Sequence, residues 1–131
     1  MSDEAINFKK ENQNLDYKNM GLDELNKLPP HLGVIDFNIT KTSFKMLNII
    51  NDDASIVKYF WQDSFDLKSL DLWYEISKER GVYLDVGAHT GLYTIVPIKS
   101  NKLNTVISIE PYYLNLARLI TNLRLNRIEK N

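Results

Sequence analysis

The stretch Val82-Tyr83-Leu84-Asp85-Val86-Gly87-Ala88-His89-Thr90-Gly91 joins five mostly apolar residues to a loop framed by two glycines. The apolar five predict a short buried strand, and a helical run from Leu92 to about Ser100 follows the loop. Thr105-Val106-Ile107-Ser108-Ile109-Glu110 is a second strand, rich in β-branched residues and ending in an acid. Pro111 opens a further helix from Tyr112 to about Asn126, with Tyr113, Leu116, Ala117, Ile120 and Leu123 on one stripe. Strand, glycine loop, helix, strand, helix in succession predict an α/β fold with helices packed on a parallel sheet.

Upstream, Asp66 to Arg80 reads as a helix, because Leu67, Leu70, Trp73 and Ile76 or Ser77 recur at three- and four-residue spacing. Lys78 and Arg80 suit its dipole, and Gly81 fits just past its end. Pro97 lies inside the next helix and predicts a kink near Tyr93, since an interior proline costs about 3 kcal/mol relative to alanine. Earlier still, Ile35, Phe37 and Ile39 alternate with polar residues. A polar break at Lys41-Thr42-Ser43 and a second run from Phe44 to Ile50 complete a β-hairpin. The apolar group Ile56 to Trp61 is too short to classify. Residues 1–30 are polar, with a weak helical pattern at Leu22, Leu25 and Leu28 that Pro29-Pro30 stops, and read as a loosely packed lead-in. The chain thus divides into a lead-in (1–30), a hairpin and helix region (31–80) and the strand-helix alternation (81–131).

Composition narrows the function. With 131 residues, 44% hydrophobic and 25% charged, the chain is an ordinary globular sequence of one-domain length, not a disordered or low-complexity one. The absence of cysteine removes disulfides and thiolate metal sites, and two histidines make a metal site improbable, so none is assigned. A net charge of −1 argues against nucleic acid as partner. No apolar run approaches the roughly 20 residues of a membrane span, and the polar start is unlike a signal peptide, so a cytoplasmic location is expected.

The glycine loop carries the chemistry. Glycines at the carboxyl end of a strand let the backbone turn tightly and let a ligand approach the main chain. The N–H groups opening the next helix face that ligand. Glu110, at the end of the second strand and 23 positions beyond Gly87, can accept both hydroxyls of a ribose. The nicotinamide fingerprint wants glycine at positions 89 and 92, where His89 and Leu92 stand, and no phosphate-loop lysine follows. Asp85 would repel a pyrophosphate but suits a cation. An adenosine-bearing, locally cationic ligand meets all of this, and S-adenosylmethionine is one.

The run LDVGAHTGLYTI, then VISIEP, then Asn115, Asn122 and the pair Leu125-Asn126 resembles the FkbM family of S-adenosylmethionine-dependent methyltransferases. The likeness is strongest over about 81–128 and weaker over 34–80. It implies a Rossmann-like methyltransferase fold, truncated after the second strand-helix unit and preceded by a hairpin and helix. It also implies S-adenosylmethionine as cofactor, held by Asp85, Gly87, Ala88, His89, Thr90 and Gly91 on the methionine side and by Glu110, with Pro111 beside it, on the ribose. His89 stands where the family more often has Asn, and Pro97 where it more often has Ala. The activity implied is O-methylation of a hydroxyl on a sugar or other small molecule, working mainly by positioning.

Each feature has a plainer explanation. The glycines can mark only a turn, and Asp85 and Glu110-Pro111 can be helix-start residues. His89 can be a polar loop residue, and Tyr93, Tyr112 and Tyr113 can be packing residues. Arg118, Arg124 and Arg127 fit the solvated face of the last helix. Only 47 residues run from Asp85 to Asn131, fewer than the implied sheet needs, so a missing carboxyl-terminal half is expected and no catalytic residue is assigned. The alternative functions are a non-catalytic remnant or partner-binding module and, further off, a nicotinamide-dependent Rossmann enzyme. S-adenosylmethionine is expected to bind this chain weakly or not at all, with the adenine side open.

Overall fold

The computed structural model describes residues 3–49 and 51–128, so Ile50 at the end of the second hairpin run lies outside it. The fold is mixed α/β, with elements α1 (Asp3–Glu11), a 3-10 turn (Tyr17–Asn19), α2 (Leu22–Leu25), β1 (Gly33–Asn38), β2 (Ser43–Asn48), α3 (Ala54–Gln62), α4 (Leu67–Ile76), β3 (Val82–Val86), α5 (Leu92–Ser100), β4 (Thr105–Ile109) and α6 (Tyr113–Leu125). Contacts divide it into two compact units, residues 1–35 with 47–65 and residues 36–46 with 66–131. Among the described residues no helix is long and apolar enough to cross a membrane.

The first unit corrects the expectation of a loose lead-in. Ala5, Tyr17 and Leu25 are buried with Val57 and Trp61, and Phe8, Met20, Leu22, Leu28 and Phe60 pack around them. Trp61 is the centre, its ring edge-on to Phe8 at 6.1 Å and tilted against Tyr17 at 5.2 Å. Burying such side chains contributes roughly 2–3 kcal/mol each. The lead-in has too few apolar residues for a core alone, and the missing layer is α3, which supplies Val57 and Trp61. Asp53 caps α3, its Oδ1 accepting from the N–H groups of Ser55 at 3.0 Å and Ile56 at 3.4 Å. Gln62 closes the unit from the other end, donating to the carbonyls of Tyr17 at 3.0 Å and Met20 at 2.9 Å.

The hairpin forms as the alternation predicts. Ile35, Phe37 and Ile39 are buried along the first run, and Phe44, Met46 and Asn48 along the second. The tip closes with the Ile39 N–H donating to the Thr42 carbonyl at 3.0 Å.

In the second unit β3 and β4 pair in parallel, with Leu84 opposite Ile107 and Val86 opposite Ile109. The structure corrects one expectation here: β3 is not buried on both faces. Helix α5 packs on one side of the sheet, whereas Val82, Leu84 and Val86 stand exposed on the other. No layer covers that face among the described residues.

Helix α4 ends at Ile76, four residues short of the expected Arg80. Ser77 follows as its C-cap, the buried Oγ donating at 2.7 Å to the Trp73 carbonyl and lying 2.8 Å from Ser100 Oγ. Pro97 does not interrupt α5, which is helical from Leu92 to Ser100. A proline at 97 leaves the Tyr93 carbonyl without its helical donor. The Trp73 indole takes that place, donating to the Tyr93 carbonyl at 3.0 Å. The expected stripe of α6 is also corrected. Tyr113, Leu116 and Ala117 are exposed, and the buried face is Arg118, Leu119 and Asn122. Arg118 therefore does not lie on a solvated face.

Two predictions follow from these contacts. Trp73→Phe strands the Tyr93 carbonyl and should cost about 1–3 kcal/mol. In the Pro97→Ala background the new amide serves that carbonyl, so the cost of Trp73→Phe should shrink by about half or more; urea melts of the four chains read the coupling. In the first unit, His31 is buried, stacked on Phe60 at 4.3 Å, with no partner at Nδ1. Burial pushes its pKa down from 6.5, against a smaller opposing effect of a hydrogen bond with the Val34 backbone. The unfolded chain then binds the extra proton, so His31 lowers stability as pH falls through about 6.5. The thermal midpoint should drop between neutral pH and about 5, and His31→Phe should flatten part of that drop.

Candidate functional site

The glycine loop is built by the sheet register. The Ile109 carbonyl, at the end of β4, accepts from both Gly87 N–H at 2.8 Å and Ala88 N–H at 3.0 Å. The loop then folds over itself, Gly91 N–H donating to the Ala88 carbonyl at 2.8 Å, and Gly91 becomes the N-cap of α5. Gly87, His89 and Gly91 all have left-handed backbone, at φ 81°, 50° and 95°. At Gly91 a Cβ would lie 3.1 Å from Leu119 Cγ, so a side chain fits only if Leu119 gives way. At Gly87 a Cβ would point into open space, with nothing within 4 Å. Gly91 is thus a packing glycine, and Gly87 leaves main chain accessible from outside.

Glu110 holds the loop from beyond β4. Its Oε2 accepts from His89 N–H at 2.8 Å and its Oε1 from Tyr112 N–H at 2.9 Å. The Tyr112 and His89 amides, with help from the Asn115 side chain, hold its carboxyl below the usual range despite some desolvation. Both the expected and the plainer explanation of Glu110 thus meet in one residue. It braces the loop and the start of α6, and as a half-buried anion it keeps lone pairs to spare.

Asp85 sits differently. Its Oδ2 accepts from Thr94 Oγ1 at 2.6 Å, and Thr94 Oγ1 lies 2.9 Å from Ser108 Oγ. Burial pushes the Asp85 carboxyl up, the Thr94 bond opposes this, and the charge of Glu110 adds to it. Thr94 and Ser108 escaped the sequence reading. Ser108 is opposite Asp85 in the ladder, and register is invisible along one strand.

The structure brings Asp85, Gly87, His89, Gly91 and Glu110 to one end of the sheet. Ala88 and Thr90 are there too, but both are buried and contribute main chain. Asn122 on α6 reaches the Thr90 carbonyl at 2.8 Å, so the same helix that packs against Gly91 also holds the loop. Pro111 is exposed, and α6 begins at Tyr113, one residue later than expected. Beside Asp85 lies a groove of about 390 Å³ whose lining includes Leu72, Trp73, Leu84 and Tyr93. Tyr93 donates its hydroxyl to Asp66, and burial with that bond pushes its pKa up to about 12. A larger cavity of about 550 Å³ lies in the first unit, between α1 and α3, and holds none of the expected site residues.

Comparison of the chain with family models, with curated proteins and with solved structures finds no match.

The two glycines should respond differently to substitution. Gly91→Ala meets both a positive φ and the Leu119 side chain, and should cost about 2 kcal/mol or more. Gly87→Ala meets only the backbone penalty of about 1–2 kcal/mol, its new methyl standing in open space. Denaturant melts of the two variants give the comparison, with Gly91→Ala the less stable.

Proposed function

We propose that residues 81–128 are the cofactor-binding start of a Rossmann-like methyltransferase of the FkbM kind, with two strands of a larger sheet. S-adenosylmethionine is the cofactor of this reading. Its acceptor is a hydroxyl on a small molecule or glycan. The observation that carries the reading is the pairing of an open Gly87 main chain with two carboxylates, Asp85 and Glu110, at the carboxyl end of adjacent parallel strands. Ligands of open α/β sheets bind at that end.

The residues fit the cofactor. The Gly87 region leaves room for a ligand to touch main chain, and Glu110 keeps its charge at neutral pH, its carboxyl held low. Thr94 donates to the Asp85 carboxylate, with Ser108 behind Thr94, and a carboxylate at this place suits a cationic group. Bound there, the cofactor supplies the methyl group. This chain's residues bind and orient it, Glu110 at the ribose and Asp85 at the ammonium. The left-handed turn at His89 aims its N–H at Glu110, so loop shape and ribose acceptor are set together. A nicotinamide or phosphate-loop ligand fits worse, because Asp85 opposes a pyrophosphate at the loop.

A second reading has its own support. One face of the β3–β4 sheet is bare and aliphatic, as in a module that docks a polypeptide.

Amide NMR of the ¹⁵N-labelled chain tests the first reading at the weak affinity expected. Titration with S-adenosylmethionine should shift Asp85, Gly87, His89, Gly91 and Tyr112 amides, and Glu110→Ala should weaken the effect about tenfold or more. NAD at equal concentration should leave those amides in place. Loop amides that respond equally to NAD, or S-adenosylmethionine shifts confined to residues away from the loop, would sink the reading.

A further inference from the structure

The cavity of about 550 Å³ between α1 and α3 combines aliphatic walls with a set of charges, and every residue of its lining belongs to the first unit. Small-molecule sites span ~300–1,000 Å³. Lys9, Lys10 and Lys18 stand against Asp16 and Asp63 in the lining, which leaves one net positive charge. That charge is available on only part of the wall. Lys9 is engaged inside the protein, its Nζ lying 2.9 Å from Asp63 Oδ1 and donating to the Phe60 carbonyl near the end of α3. Asp16 accepts from Asn19 Nδ2 at 2.6 Å. Lys10 and Lys18 are exposed, and neither ammonium pairs with a carboxylate among the described residues.

The apolar surface that a ligand can reach is aliphatic. Leu15 is 36% exposed and Ile6 is half-buried. The aromatic residues of the lining are occupied by one another and by their neighbours. Tyr17 and Trp61 are buried with ring centres 5.2 Å apart, and Phe8 and Phe60 meet Trp61 edge-on. Phe60 has His31 stacked on it at 4.3 Å and the Lys9 ammonium 5.4 Å from its ring centre. No full ring face is left for a planar ligand to stack on. Lysines lay their methylene stems along apolar surface and keep the ammonium in water, so Lys10 and Lys18 suit a ligand with an apolar body and one charged end.

We propose that this cavity binds an alkyl carboxylate, a fatty-acid-like monoanion, with its chain against Ile6 and Leu15 and its carboxylate at Lys10 and Lys18. One net positive charge matches a single carboxylate, whereas a phosphate dianion would meet Asp16 and Asp63 with no cation to spare for its second charge. The chain leaves water for aliphatic walls, which drives its binding without any directional contact. An aromatic acid lacks a ring to stack on, and a neutral alkyl chain gains nothing from the two free ammonium groups. The inference is independent of the cofactor reading, which concerns the second unit.

The test titrates the whole ¹⁵N-labelled chain with sodium decanoate, well below its micelle concentration. The Ile6, Leu15, Tyr17 and Lys18 amides and the Trp61 indole N–H should shift and saturate at millimolar decanoate or below, with the amides of residues 87–91 in place. Decanol and 2-naphthoate should each bind at least tenfold more weakly. The double variant Lys10→Gln with Lys18→Gln changes only exposed positions, and should weaken decanoate binding about tenfold with the rest of the amide spectrum retained. Leu15→Asn should weaken it severalfold through the lost apolar contact. Cavity residues that show no saturating shift overturn the proposal. So do equal binding of decanol or of 2-naphthoate, and decanoate affinity unchanged by the double lysine variant.

Discussion

One backbone acceptor organises the second unit. The Ile109 carbonyl takes the N–H groups of both Gly87 and Ala88, so the end of β4 dictates where the glycine loop leaves β3. Two donors on one carbonyl require the chain to turn at once, and that demands the left-handed backbone at Gly87. The next residue after Ile109 is Glu110, which reaches back to the His89 N–H. Strand pairing therefore places the acid against the loop. Asp85 comes to the same end through the same ladder, opposite Ser108.

Helix packing answers a second constraint, the proline in α5. Pro97 withholds a donor from Tyr93, whereas its own carbonyl keeps its helical donor at the end of α5. Trp73 serves the first carbonyl, while the Asn101 N–H at 3.1 Å and Asn104 Nδ2 at 2.8 Å serve the second. Asn104 also donates to the Ser77 carbonyl at 2.6 Å and accepts from Gly81 N–H at 3.0 Å. The end of α4, the start of β3 and the end of α5 are thereby tied through one amide side chain. A buried polar group left unmade costs about 1–3 kcal/mol, so these bonds explain why the proline leaves the helix unbroken.

Local order was legible because local physics sets it. The glycines, the strand of β-branched residues and the hairpin alternation each act within a few residues, and each element formed near its expected place. Orientation was not legible. In α6 the aliphatic stripe led by Tyr113 looked like the buried face, yet Leu119 and Asn122 face inward, because Gly91 leaves room for Leu119 and the Thr90 carbonyl needs Asn122. The lead-in looked too polar to pack. Its few apolar residues suffice once α3, some thirty residues on, brings Trp61 to them.

At the candidate site, residue type and spacing along the chain single out Asp85, the loop 87–91 and Glu110. That Glu110 braces the loop from a half-buried position depends on the tertiary structure. So does the bond of Thr94, backed by Ser108, to Asp85, and so does the burial of Ala88 and Thr90. The tertiary structure decided, too, that one face of the sheet is bare. The reason is common to all of these. Residue type and spacing govern what a segment can form, but partners and burial depend on which segments meet, and register and layering are settled only when the whole chain packs.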